Sequence, residues 1–181
     1  MRAKYRPGSR REDAERPLLM IDVDGVISLF GAAGGRPAGA VEGSFHSIEG
    51  IPHFLSSTAA AHLLALADLY ELVWASGWEE RADEHLPHLL GVPSGLPHLR
   101  FARAVGGRAS HSLAHWKLEA IDTYAGARPL AWIDDALDGD CRTWAERREA
   151  PTLLVQTAPH EGLIRSQAEL LERWALGLAQ G

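Results

Sequence analysis

Cysteine is nearly absent from this chain: Cys141 stands alone among 181 residues. No internal disulfide can form, so nothing in the sequence asks for an oxidising compartment. Long hydrophobic runs are missing too. The one early apolar stretch, Leu18 to Ile27, is broken by Asp22 and Asp24; it is too short to span a bilayer and does not read as a signal peptide. The cytoplasm is therefore the expected location. Positive charge is in deficit, with a formal net charge of -6, which argues against a nucleic-acid binder held by bulk electrostatics and leaves room only for a local basic surface. No internal repeat is apparent. At 46% hydrophobic and 23% charged residues, the chain is long enough for one domain with a substantial core and too short for two comfortable ones.

What is present is organised around Leu18-Leu19-Met20-Ile21-Asp22-Val23-Asp24-Gly25-Val26-Ile27. A short continuous apolar run reads as a strand buried on both faces of a parallel sheet. Ionised carboxylates are not tolerated unpaired in such a place, because their desolvation costs several kcal/mol. Asp22 and Asp24 therefore mark where the strand leaves the sheet. Residues two apart in extended chain point the same way, which aims both carboxylates at one spot, and Gly25 permits a sharp departure.

Before this stretch, Met1 to Pro17 holds six Lys/Arg and three Asp/Glu with almost nothing apolar, and reads as a flexible basic tail. After it, residues 18–181 read as a single domain. Phe30 to Gly50, rich in glycine and small residues, is expected to be a loop or small hairpin flap. Ser56-Ser57-Thr58 looks like a helix start, with a helix over Thr58 to Leu69. Glu71 to Gly77 repeats the opening design, an apolar strand ending in Ser76 and Gly77. Trp78 to Leu90 reads as a helix in which Pro87 should cause a kink or an early stop. Gly91 to Ser112 is assigned mostly to loop, with at most one short strand. Helices are expected over Trp116 to Tyr124, closed by Gly126, over Asp138 to Arg148 and over Gly162 to Leu178. Pro129 to Asp135 and Pro151 to Thr157 complete the strands. The alternation implies an α/β fold with a mainly parallel sheet.

Three of these strands end in polar groups: Asp22 and Asp24, then Ser76, then Asp134 and Asp135. In open parallel sheets the ligand crevice lies at the carboxyl ends of the strands, so these groups can converge. Four carboxylates meeting there would repel one another unless a cation neutralised them. Hard oxygen ligands suit Mg²⁺, which keeps some waters and shares a phosphate. Ser76 and Gly77, at a strand-to-helix junction, can hold an anionic oxygen with a hydroxyl and backbone N–H groups. Lys117 can add fixed positive charge. Each of these residues also has a plainer reading. Ser76 and Asp135 can cap helices, and a lysine on a helix is most often solvated. The pairs His85/His88 and His111/His115 have spacings suited to zinc, but nine histidines make such pairs common by chance. Trp74, Trp78, Trp116 and Trp132 lie close to these residues and serve either as core and site walls or as stacking surfaces for a base.

The order Asp-x-Asp-Gly after an apolar strand, Ser-Gly after a second, a Lys, then Asp-Asp after a later strand resembles the four motifs of the haloacid dehalogenase superfamily, from about Leu18 to Thr157. The strings Trp74-Ala75-Ser76-Gly77-Trp78 and Leu130-Ala131-Trp132-Ile133-Asp134-Asp135 further resemble a bacterial subgroup related to the phosphatase modules of RNA-repair proteins. The resemblance implies a three-layer α/β/α, Rossmann-like domain. It also implies Mg²⁺-dependent phosphatase chemistry in which Asp22 attacks phosphorus to form an aspartyl-phosphate and Asp24 acts as acid, then base. By the same resemblance, Asp22, Asp134, the backbone carbonyl of Asp24 and, directly or through water, Asp135 bind the metal, while Ser76, Gly77 and Lys117 hold the phosphoryl oxygens. Members that displace halide from carbon lack an acid at the position of Asp24, so its presence favours phosphoryl transfer. The intervals from Asp22 to Ser76 and from Ser76 to Lys117 are too short for a large cap domain. The site is therefore expected to be open, as in capless members acting on bulky phosphoesters such as nucleic-acid ends, though small esters enclosed by a second subunit are also compatible. The competing expectation is a non-catalytic module that binds phosphate or nucleic acid; in phosphoacceptor signalling domains the motifs run in a different order.

Overall fold

A computed structural model of the chain describes residues 16–31, 41–101 and 113–180. Strand β1 (Leu18–Ile21) is buried at every position, as an apolar run without alternation must be. The chain then turns through Val23 to Ile27 into β2 (Ser28–Leu29). This short strand joins the hairpin of β3 (Gly43–Ile48) and β4 (Ile51–Ser56) in an antiparallel sheet of order β2-β4-β3. The hairpin is the expected flap, although it extends further along the chain than Phe30 to Gly50. Residues 32–40 of that stretch lie outside the described residues.

Ser56 ends β4 and caps α1 (Ser57–Leu66), its hydroxyl accepting the Ala59 N–H at 3.0 Å. Next come β5 (Glu71–Trp74) and α2 (Glu80–Leu90), then a 3₁₀ turn (Ala114–Lys117) that runs into α3 (Leu118–Ala125). The chain closes with β6 (Leu130–Asp134), α4 (Gly139–Arg147), β7 (Thr152–Gln156) and α5 (Arg165–Leu178). Helix α2 starts two residues later than expected, because Ser76 to Glu79 forms a turn in which Glu79 has φ 49°. It also runs through Pro87 to a left-handed Gly91. Proline removes a single N–H there, while burial of Ala82 and Leu86 holds the helix to the core.

Four strands form an all-parallel sheet of order β5-β1-β6-β7. Alternate side chains cover its two faces. Leu19, Ile21, Leu72, Trp74 and Ile133 pack with residues of α1, α2 and α5, whereas Leu18, Met20, Val73, Leu130 and Trp132 pack with residues of α3 and α4. The chain is thus an α/β fold with helices on both faces of a parallel sheet. It steps from β1 outward to β5, then crosses back to β6 on the other side of β1. The strand order reverses beside β1, and a crevice opens at such a reversal, outside the carboxyl ends of β1 and β6.

The boundary between tail and domain differs from the sequence reading. Arg16 and Pro17 belong to the fold: the Pro17 carbonyl accepts from Glu71 N at 3.0 Å and the Arg16 carbonyl from Arg128 Nη2 at 2.9 Å. Residues 1–15, the rest of the expected tail, lie outside the described residues. Of Gly91 to Ser112, the part up to Phe101 makes a single parallel bridge between Trp74 and His98, and residues 102–112 lie outside the described ones. Among the described residues no helix is long and apolar enough to cross a membrane.

Candidate active site

Asp22 follows directly on β1, Ser76 lies two residues past β5 and Asp134 is the last residue of β6. Parallel neighbours in register bring those ends together, and Lys117 joins them from the 3₁₀ turn before α3. Asp22, Asp24, Ser76, Gly77, Lys117, Asp134 and Asp135 all line one cleft of about 610 Å³. The acids, the Ser-Gly pair and the lysine singled out in the sequence therefore share one cleft.

Lys117 is the link at the floor. Its ammonium lies 2.8 Å from Asp22 Oδ2 and 2.6 Å from Asp134 Oδ2, and all three side chains are buried. This is not the solvated lysine that helix statistics favour. The remaining oxygens are fixed by backbone: Asp22 Oδ1 accepts Val23 N–H at 2.8 Å and Asp134 Oδ1 accepts Ala136 N–H at 2.9 Å. Ser76 is buried, and its Oγ accepts Trp78 N–H at 3.3 Å, so its role in the turn coexists with a place in the cleft. Burial lowers the affinity of Lys117 for its proton, but the two carboxylates outweigh this and hold its pKa above the usual lysine value.

One ammonium does not balance the acids around it. Asp22, Asp134 and Asp135 each bring an oxygen within 4.8 Å of the others. Burial, reinforced by the Asp22 charge, pushes the Asp134 carboxyl up to about 6 despite Lys117. Burial and Asp22 likewise push Asp135 up to about 6. These three form one of two groups among the described residues that could hold a metal ion, and they offer hard oxygen donors in excess of positive charge.

Gly25 is fitted to this arrangement. It has φ 75°, and any Cβ there would strike the Asp135 carboxyl; a side chain is barred by both space and backbone conformation. The Thr157 hydroxyl donates to the Gly25 carbonyl at 2.8 Å and Leu163 N donates to the Val26 carbonyl at 3.1 Å, which ties the loop after β1 to the segment after β7.

Asp24 stands apart from the other three acids, exposed at the rim, with Oδ2 accepting the indole N–H of Trp78 at 3.0 Å. Partial desolvation raises its pKa above the usual carboxylate value and Asp22 adds to this, while the Trp78 bond opposes both. A carboxyl that keeps its proton longer than usual is suited to donating one.

The rest of the cleft was not legible as a site. His53 and Ile51 come from β4, Arg81 from α2, and Phe30, Leu113 and Trp116 from turns. Nothing signalled His53, because Pro52 in the run from Ile51 to Ser56 disguises a strand. Trp78 and Trp116 were visible only as aromatics near the motif residues. Of the histidines considered for zinc, His111 lies outside the described residues. His115 bonds Asp138 at 2.7 Å in an exposed group with Asp140, where Asp138 also caps α4. Neither His85 nor His88 belongs to a metal-ligating group among the described residues. A second depression of about 630 Å³ surrounds Arg148; that guanidinium is already bonded to Asp122, Thr152 and the carbonyls of Gly126 and Arg128. No family model matches the chain, and no curated protein matches it in sequence.

Proposed function

We propose that the chain is a Mg²⁺-dependent phosphatase of the haloacid dehalogenase type, with a Rossmann-like core, no large cap and an open site. The observation that carries this reading is the bridging of Asp22 and Asp134 by a buried Lys117 at the reversal of strand order, with Ser76 beside them and Asp24 at the rim.

Ser76, the Gly77 backbone and Lys117 hold the phosphoryl oxygens. Asp22 attacks phosphorus; as the new bond to its carboxylate forms, the bond to the leaving oxygen breaks, and Asp24 gives that oxygen a proton. Asp24, now a carboxylate, takes a proton from the incoming water, whose oxygen attacks phosphorus and frees Asp22. Lys117 limits the repulsion between Asp22 and the phosphate before attack. Asp22, Asp134, Asp135 and the Asp24 carbonyl would hold Mg²⁺, and the ion would supply charge neutralisation for the phosphate. Three carboxylates against one ammonium fit that cation.

The open cleft suits phosphoesters with bulky groups, nucleic-acid ends among them. Hydrolysis of p-nitrophenyl phosphate with Mg²⁺ is the test, and turnover is expected to disappear on chelation and in Asp22→Asn. Turnover that persists in the variant removes Asp22 as nucleophile. Phosphate binding without turnover in the unaltered protein would favour the non-catalytic module instead.

A further inference from the structure

Trp78 is buried, yet its one polar atom is spent at the mouth of the cleft, on Asp24. An indole nitrogen can only donate, so the polarity of the contact is fixed: Asp24 Oδ2 accepts. Among the described residues this is the only hydrogen bond to that carboxylate's side chain.

The ring that makes the bond is itself held. His53 meets it edge to face at 4.9 Å between centroids, and the Arg81 guanidinium lies 5.7 Å from its centre. His53 is bonded through Nδ1 to Ser28 Oγ at 2.9 Å. Ser28 is in turn bridged to Asp24 through the backbone. Asp24, Trp78, His53 and Ser28 thus form a closed ring of contacts around the rim. Arg81 is paired with Glu49 at the tip of the hairpin, which ties the same tryptophan to the flap.

The fold treats its indole N–H groups unequally. The Nε1 atoms of Trp74 and Trp132 are buried without a partner among the described residues, whereas Trp144 donates to Asp122 and Trp78 to Asp24; of these two acids only Asp24 lines the cleft.

We propose that Trp78 is a positioning residue for the proton step: its N–H pins Oδ2 of Asp24, so that Oδ1 carries the transferable proton toward the leaving oxygen. The inference rests on the reading of Asp24 as acid and base. A carboxyl free to rotate would present either oxygen and hold the proton in register only part of the time. In the first half-reaction the proton leaves Oδ1 for the ester oxygen as the P–O bond breaks. In the second, Oδ1 takes the proton of the attacking water, and Oδ2 stays on the indole throughout.

Trp78→Phe tests this, because it keeps an aromatic ring for His53 and Arg81 and deletes the donor. An alkyl phosphate needs protonation of its leaving oxygen; p-nitrophenyl phosphate does not. In the variant kcat/KM for the alkyl ester is expected to fall about tenfold or more, that for p-nitrophenyl phosphate less than about threefold, with KM unchanged for both. An equal loss on both esters marks a merely structural residue and overturns the inference, as does no loss on either. Should Trp78→Phe fail to fold, the benzothiophene isostere of tryptophan at position 78, with sulfur in place of N–H, is read the same way. If the unaltered protein hydrolyses neither ester, the phosphatase reading fails and takes this inference with it. If the unaltered protein is active and Asp22→Asn is not, while the position-78 variant keeps its leaving-group dependence, only the role of Trp78 is wrong.

Discussion

Lys117 shows how much one residue carries here. Among the described residues it is the one counter-charge between two buried carboxylates, and removing one member of a buried ionic group leaves the others uncompensated at a cost of about 3–5 kcal/mol. Lys117→Met is expected to lose stability of that order in urea unfolding near neutral pH. The loss should shrink in mildly acidic buffer, where Asp134, with its pKa pushed up to about 6, takes up a proton. Gly25→Ala should act on the same group differently. With φ 75° and no room beside Asp135, it is expected to destabilise by more than about 1 kcal/mol and to weaken Mg²⁺ binding, measurable by calorimetry. At this scale the acids were legible because carboxylates inside an apolar run are too expensive to be incidental. Ser76 was legible through its place at a strand end. The partnership of Trp78 with Asp24 was not, since an indole bond between distant positions leaves no periodic trace, and neither was His53.

Among the elements, strands β1, β5, β6 and β7 were each readable as apolar runs, although β5 stops at Trp74, three residues short of Gly77, and β7, expected to be buried, lies at the sheet edge with only Val155 buried. Helix ends followed chemistry that sequence shows plainly, as at Ser56 and Gly126. Ser56→Ala is accordingly expected to reduce stability by about 1 kcal/mol through loss of the Ala59 cap, read as a lower urea midpoint with unchanged slope. Two elements were misjudged for local reasons that tertiary packing overrode. Pro87 did not stop α2, because the helix is held by its buried face. Strand β4 went unseen because Pro52 sits within it, at an antiparallel hairpin where one missing donor is tolerated. Its unexpected presence is what brings Ile51 and His53 to the cleft.

For the molecule as a whole, the surplus of acid should appear in the pH dependence of stability. Asp134 and Asp135 have folded values of about 6, above the ordinary 3.8. Their contribution therefore favours folding below about pH 4 and is lost as pH rises through about 6. Asp138 works the other way: Cys141 and His115 bonds outweigh its burial and hold it at about 2, so its stabilisation is present above 3.8 and lost as pH falls toward 2. On the proposed reading, a divalent cation would replace the protons that Asp134 and Asp135 give up. Mg²⁺ is thus expected to raise the melting temperature little near pH 5 and more near pH 8, and melts with and without Mg²⁺ across that range check it. Equal gains at both ends would mean that the ion binds elsewhere. The two-faced parallel sheet was readable from alternating strands and helices. Its order was not, because nothing in buried apolar runs says which neighbours they choose.

That order has a bearing on biosynthesis. The central strand leaves the ribosome well before its partner on one side, β6, which is made only after the hairpin, α1, β5, α2 and α3 have followed it. Until then the nascent polypeptide holds Asp22 and Ser76 with no Asp134 to complete the floor, so premature termination anywhere before β6 yields a product without the pocket.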